Sequence, residues 1–367
     1  MKKILVVGSE SYIGTELSKY LDKKEYNIDC IDIGLNKNCL LSKADKGIVS
    51  KKIDLRDVKI SYLKNFNVVI FLAGLSLFLN NNIKSLKERN AYKITEEYTK
   101  DFILKCKHLN INFIFPSSCS VYGDAASKKF LNEKSRVNPI TYYSKNKMII
   151  ENFLKQNATK NFKVIIFRVS TVFGWSSRMR FDIVANMFVG MALATREIVL
   201  NSDGQAYRPF VEVKDVCKAF ESAIHKINNI HKIEIYNIGT NKNNIKIIDL
   251  AKLISKLIPK TKIIYLNDSK KIDSKFIKDN QVVKKGKDKR NYKVNFNKAS
   301  QELIFFNKNI HLEMGLKKMI RELKKRRFSL KNFNDIKFHR LLTLNNLIEK
   351  GKVDKNLRVI KTQHAKS

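Results

Sequence analysis

Ile4-Leu5-Val6-Val7-Gly8-Ser9-Glu10-Ser11-Tyr12-Ile13-Gly14 decides the fold. A short apolar, largely β-branched run reads as a strand, and the glycines that follow bracket a turn. From Ile13 to Lys24 the apolar residues then recur at helical spacing. Outward from this stretch the same alternation repeats, with strands at Ile28 to Ile31, Val68 to Leu72, Phe113 to Pro116 and Val164 to Phe167. Amphipathic stretches at Ile94 to Leu109 and Tyr142 to Gln156 are long enough to be crossover helices. The pattern predicts an α/β protein built on a doubly wound parallel sheet, with function at the residues that follow the carboxyl ends of the strands.

At 367 residues, 44% of them hydrophobic, the chain is expected to carry one sheet domain and a smaller companion. The sheet domain is placed at 1–175 with returning segments at about 207–250, where Pro209 to Val213 and Ile235 to Ile238 read as strands. The smaller, interleaved C-terminal domain is placed at 176–330. Its lid is expected from Arg180 to about Asn201 and from about Ser255 to Lys325, with Lys270 to Asn291 a surface loop. Residues 331–367 read as a basic tail without an assigned role. No apolar run reaches the roughly 20 residues of a membrane span, and the start is too short for a secretory signal, so a cytoplasmic location is expected. Cys30, Cys39, Cys106, Cys119 and Cys217 form no C-x-x-C pair, which points to reduced thiols and no metal. The formal charge of +38 comes from lysine spread along the chain with Asn and Ile, as AT-rich codon usage produces. No basic stripe interleaved with aromatics is present, so nucleic acid is not an expected partner. Lys317, Lys318, Arg321, Lys324, Lys325, Arg326 and Arg327 cluster at helical spacing and read as a solvated face.

The Gly8 to Gly14 turn would aim backbone N–H groups, those of Ser11, Tyr12 and Ile13 among them, and the positive end of a helix at a pyrophosphate. Alone, such a turn is equally an ordinary glycine turn; its context adds weight. Asp32 ends the second strand, where a carboxylate accepts hydrogen bonds from an adenosine ribose and repels a 2′-phosphate, favouring NAD. Asp54, Leu55 and Ala73 follow other strands at positions suited to adenine and phosphates.

Tyr143 and Lys147 stand four apart and share one helix face. The ammonium is expected to lower the phenol from its usual value near pH 10 and make it a usable base. After the fourth strand, Ser117-Ser118-Cys119-Ser120-Val121-Tyr122-Gly123 places hydroxyls at the sheet edge, and Ser118 is the candidate that steadies a substrate oxygen against Tyr143.

In this order, Val7-Gly8 through Gly14, Asp54-Leu55-Arg56-Asp57, Phe71-Leu72-Ala73-Gly74, Ser117 through Gly123, Tyr143 through Lys147 with Glu151, and Arg208-Pro209-Phe210-Val211 resemble the extended short-chain dehydrogenases, also called NAD-dependent epimerase/dehydratases. The resemblance runs from the first strand to about Arg326. It implies a Rossmann fold, NAD as cofactor, and Ser118, Tyr143 and Lys147 as the catalytic set. It further implies Asn90 near the cofactor, a nucleotide-sugar substrate with Arg208, Arg290 and Arg180 on its diphosphate, and a homodimer. Ser11 departs from the family by replacing the middle glycine. Cys119-Ser120 stands where 4,6-dehydratases carry an Asp-Glu pair, which argues against dehydration. The reaction implied is 4-epimerisation by transient oxidation. Alternatives are a 4-keto nucleotide-sugar reductase, a 3,5-epimerase using Cys119, and a non-catalytic RNA-binding relative.

Overall fold

The computed structural model describes residues 2–42, 48–75, 88–125, 130–265, 290–306 and 309–360. The chain begins with β1 (Ile4–Val7), α1 (Tyr12–Asp22), β2 (Ile28–Asp32), β3 (Lys51–Lys52), α2 (Ile60–Leu63), β4 (Val68–Phe71) and α3 (Glu88–His108). It continues with β5 (Asn112–Ser118), α4 (Tyr142–Asn157), β6 (Val164–Val169), β7 (Thr171–Phe173), α5 (Val184–Thr195), β8 (Glu197–Leu200) and β9 (Tyr207–Glu212). Then come α6 (Val213–Lys226), β10 (Ile233–Ile238), β11 (Asn244–Lys246), α7 (Ile247–Leu257), β12 (Lys262–Tyr265), α8 (Asn297–Glu302), α9 (Leu312–Lys325), α10 (Leu330–Phe333) and α11 (Arg340–Glu349).

Seven strands form one parallel sheet in the order β10-β6-β5-β4-β1-β2-β3. Successive side chains of a strand point to opposite faces, so a strand covered on both sides must be apolar throughout. β1 shows this: Ile4 and Val6 pack with Leu17 and Leu21 of α1 and Val216 and Phe220 of α6, whereas Leu5 and Val7 pack with Phe102 and Ile103 of α3 and Ile150 and Leu154 of α4. This is the doubly wound α/β fold. The strand order reverses between β1 and β4, and the crevice there is where such sheets bind ligands.

The second body has its own core, in which Phe181, Met187 and Phe188 meet Phe210, Leu316 and Met319. It carries a three-stranded sheet, β11-β9-β7, and the parallel pair β8·β12. Of the two strands expected to return, Ile233–Ile238 joins the large sheet beside β6, but Tyr207–Glu212 joins the small one. Of the expected loop at Lys270 to Asn291, all but the last two residues lie outside the described residues. On α9 the buried face is Leu312, Leu316, Met319, Ile320 and Leu323. Its lysines lie on the other side, where Lys317 pairs with Glu313.

The described part of the stretch read as a basic tail, residues 331–360, is folded. Phe333 and Phe338 are fully buried against Phe181, with ring centres 6.0 and 5.6 Å away. Further on, Leu341, Leu344, Val353 and Leu357 pack with Ala91 and against Leu35, Leu75 and Ile94. Among the described residues no helix is long and apolar enough to cross a membrane.

Candidate active site

The glycine turn leaves no room for side chains where β1 meets α1. Gly8 has φ +82°, and a Cβ there would lie 2.6 Å from the backbone nitrogen of Ala73; one on Gly14 would lie 2.3 Å from the carbonyl oxygen of Gly8. Ser11, the departure from the family pattern, is the N-cap of α1, its hydroxyl oxygen accepting from Gly14 N at 3.0 Å. The N–H groups of Tyr12 and Ile13 open the helix, where no intrahelical carbonyl reaches them. Ser11, Tyr12 and Ile13 all line the main cavity, so helix dipole and free donors face its interior.

Behind the turn, Asp32 accepts from Glu10 N at 2.9 Å and from Gly34 N at 2.7 Å. Burial pushes its carboxyl up and the two backbone donors oppose this. Asp32 shares a small cavity of about 110 Å³ with Gly8, Ser11, Asp54, Leu55 and Ala73. A turn whose two glycines cannot carry a Cβ, with a carboxylate at the end of β2 lining the adjoining cavity, fits a dinucleotide. Asn90 does not join this set: it is exposed near the start of α3 and lines neither cavity.

The main cavity, about 360 Å³, opens at the carboxyl ends of β1, β4, β5 and β6 and is lined by Ser118, Ser120, Tyr143 and Lys147 together with the turn. α4 presents the last two. Thr141 and Ser144 cap its start reciprocally, fixing the first turn that carries Tyr143. Ser118 and Tyr143 line the same cavity, and against the burial that raises the phenol's pKa the Ser118 side chain is one of the influences that lower it. Ser120 donates its hydroxyl to Ser118 at 2.9 Å and faces the cavity itself.

The charge balance at Tyr143 differs from the expectation that Lys147 lowers it. Burial pushes the phenol up, and the groups opposing that are the Ser118 hydroxyl and the positive charge of Arg180. Lys147 lies over the Tyr143 ring, 5.8 Å from its centre, and burial pushes its own pKa down to about 8, with Glu151 pulling the other way.

Cys119 is not part of the site. Its side chain is 1% exposed and its thiol donates to the Arg168 carbonyl at 3.1 Å. Burial pushes the thiol up to about 12, and with the thiol turned away from the cavity the 3,5-epimerase reading that relied on it loses its support. From the last residue of β5 onward the side chains divide, Ser118 and Ser120 to the cavity and Cys119 and Val121 to the core.

Arg180, Arg208 and Arg290 all line the main cavity. Arg208 lies over the Tyr292 ring, 5.2 Å from its centre. Arg180 is held by Asp182 through two bonds of 2.9 Å. Sequence reasoning missed Asp182 and Tyr292, and also Arg340, Thr343, Leu344 and Leu347 of α11, which form one wall. The apolar spacing Leu341, Leu344, Leu347, Ile348 was the available signal for that helix.

A glycine turn at the head of a parallel sheet, and a tyrosine and lysine one helical turn apart in the same cavity, define a dinucleotide-binding α/β site. The chain belongs to the NAD dependent epimerase/dehydratase family, whose pattern matches residues 4–239. A curated relative, dTDP-D-glucose 4,6-dehydratase of Dictyostelium discoideum, is 27% identical over 285 residues, 69% of this chain. This chain spans 62% of that relative's length. A putative UDP-glucose 4-epimerase of Methanocaldococcus jannaschii is 27% identical over 252 residues, 65% of this chain and 77% of that protein. Among solved structures, UDP-glucuronic acid 4-epimerase from Bacillus cereus in complex with UDP-glucuronic acid and NAD superimposes with a TM-score of 0.69 at 22% identity, covering 88% of this chain and 99% of that one. The last comparison establishes the fold alone.

Proposed function

We propose that the protein is an NAD-dependent nucleotide-sugar 4-epimerase acting through Tyr143, Ser118 and Lys147. The observation that carries this reading is the convergence of Ser118, Tyr143 and Lys147 in the cavity that the glycine turn also lines. NAD, when bound, supplies a hydride acceptor that later gives the hydride back. Tyr143 takes the proton of the sugar's 4-hydroxyl as the hydride leaves its carbon, and Ser118 holds the oxygen that becomes the carbonyl. Lys147 and Arg180 place positive charge beside the phenolate. The keto sugar turns over in the cavity, and the same phenol returns the proton as hydride reaches the other face. Arg208 and Arg290 supply guanidinium groups that match the diphosphate oxygens.

Dehydration needs a carboxylic acid that sheds and collects protons beside the sugar. Among the described residues lining the main cavity the carboxylate is Asp182, and it is engaged by Arg180. A 4-keto reductase would use the same three residues with exchange of cofactor at each turnover. The test is to incubate purified protein with UDP- and dTDP-sugars, without added cofactor, and follow the sugar ring protons by NMR. The expected result is a 4-epimer pair reaching equilibrium at constant mass. Loss of water from the sugar, or turnover only with a supplied reductant, overturns the reading.

A further inference from the structure

The folded C-terminal segment lies across both cavities. Residues Arg340, Thr343, Leu344 and Leu347 line the catalytic cavity, and Leu357 lines the small cavity of Asp32 and Asp54. The segment is tied to both bodies of the protein. On the second body, Phe181 N donates to the Phe338 carbonyl at 3.0 Å and Arg340 N donates to Asp182 at 3.1 Å. On the sheet domain, the Arg56 guanidinium donates to the carbonyl oxygens of Asn356 and Leu357 at 2.6 and 3.2 Å. Arg358 then pairs with both oxygens of Asp57 at 3.0 Å.

Arg56 is itself held by Asp54, through Nε at 2.8 Å and a second guanidinium nitrogen at 2.5 Å. The carboxylate at the adenine end of the cleft therefore orients the guanidinium that grips the C-terminal segment. Leu357 has φ +60°, a conformation uncommon for a bulky residue and kept only where the surroundings dictate it. Its side chain is 5% exposed, packed with Leu341, Leu344 and Val353 and turned to the cavity.

We propose that residues 338–360 are a clasp over the dinucleotide cleft, with Leu357 as the wall of its adenosine end, which slows dissociation so that one bound dinucleotide serves many turnovers. The clasp rests on the reading of the small cavity as the adenosine site, and it explains how a hydride taken from the sugar stays available for return. A ligand under a wall anchored on two domains leaves only when one anchor opens, so the effect falls on the off-rate.

The test measures release without any sugar. Protein loaded with NADH is diluted into excess NAD and its fluorescence followed, with ADP-ribose displacement as a second probe. Three variants are compared with the full chain: Leu357→Ala, Arg358→Ala, and a chain ending at Lys350, which keeps α11. Leu357→Ala is expected to release both NADH and ADP-ribose about tenfold faster, the equivalent of one lost apolar contact. The shortened chain should release them faster still. Arg358→Ala loses its ion pairs with Asp57 and, at 3.8 Å, with Asp54 and serves as the variant least exposed to misfolding; it should release them about threefold faster. Unchanged release in Leu357→Ala and Arg358→Ala, or faster release of NADH but not of ADP-ribose, overturns the clasp. A full chain that holds no dinucleotide overturns it too, whereas a wrong sugar chemistry would show only in turnover assays and leave these rates untouched.

Discussion

The Lys147 ammonium donates to the Pro116 carbonyl oxygen at 2.8 Å, joining α4 to the last turn of β5 inside the protein. That bond fixes the charge beside Tyr143, and burial makes the charge costly, holding its pKa near about 8. Between about 8 and the ordinary lysine value of 10.5, the unfolded chain keeps the proton that the folded chain has released. The folded state therefore gains stability as pH rises through that window, and below it the cost of the buried charge is constant. We expect the melting temperature of the protein, relative to that of Lys147→Met, to rise between pH 8 and 10, while kcat falls over the same range as the ammonium is lost. A difference independent of pH would mean that the group titrates normally.

Tyr143→Phe removes the oxygen that carries the proton and keeps the ring. Turnover should fall by about 10²–10⁴-fold, the usual worth of a positioned acid–base group. Stability should change by about 1 kcal/mol, the usual net value of one side-chain hydrogen bond. Steady-state rates and thermal melts on the same preparation check both, and wild-type turnover would remove Tyr143 from the chemistry.

At Gly8, alanine places a methyl against the Ala73 backbone, which belongs to the exit of β4 and has no free rotamer to yield. Gly8→Ala is expected to weaken dinucleotide binding by at least about tenfold, read by titration. Affinity equal to the parent chain would show that the turn is not the phosphate cradle.

Glu151 is fully buried, takes the Ser117 hydroxyl and pairs with Arg168 at 2.8 Å. Removing it strands a buried guanidinium, so Glu151→Ala should cost about 3–5 kcal/mol in chemical denaturation. Glu151 also holds the Lys147 pKa up, so any activity left should decline at lower pH than in the parent.

Cys119→Ser should keep turnover within about a factor of two, as expected for a buried, inert thiol. Loss of activity with an unaltered melt would return the thiol to the mechanism.

The sheet was legible because its strands are short β-branched runs with helical periods between them, and both signals are local. That Ser118, Tyr143 and Lys147 share one cavity was legible for the same reason: each ends a strand or lies in the first turns of a helix whose place in the order was already set. What the sequence hid depends on distant contacts. The segment around Phe333, Phe338, Leu344 and Leu357 reads as a basic tail when its lysines are weighed ahead of its apolar residues. Their partners, Phe181, Leu35 and Ala91, are far away in the chain. The sign of the shift at Tyr143 was hidden too, since spacing places Lys147 near the phenol but does not reveal how far both are removed from water. The inward turn of Cys119 could have been read by continuing the alternation of β5 one step further.

β10 reaches the large sheet only after the chain has crossed the second body, and it then pairs along all of β6, from Ile233 beside Val164 to Ile238 beside Val169. A fragment cut near residue 175 would therefore expose β6 as a bare hydrophobic edge, a template on which other copies can stack. The first half of this chain cannot be borrowed as a portable nucleotide-binding module: what looks like a self-sufficient unit in the linear order needs its later neighbour to cover that edge.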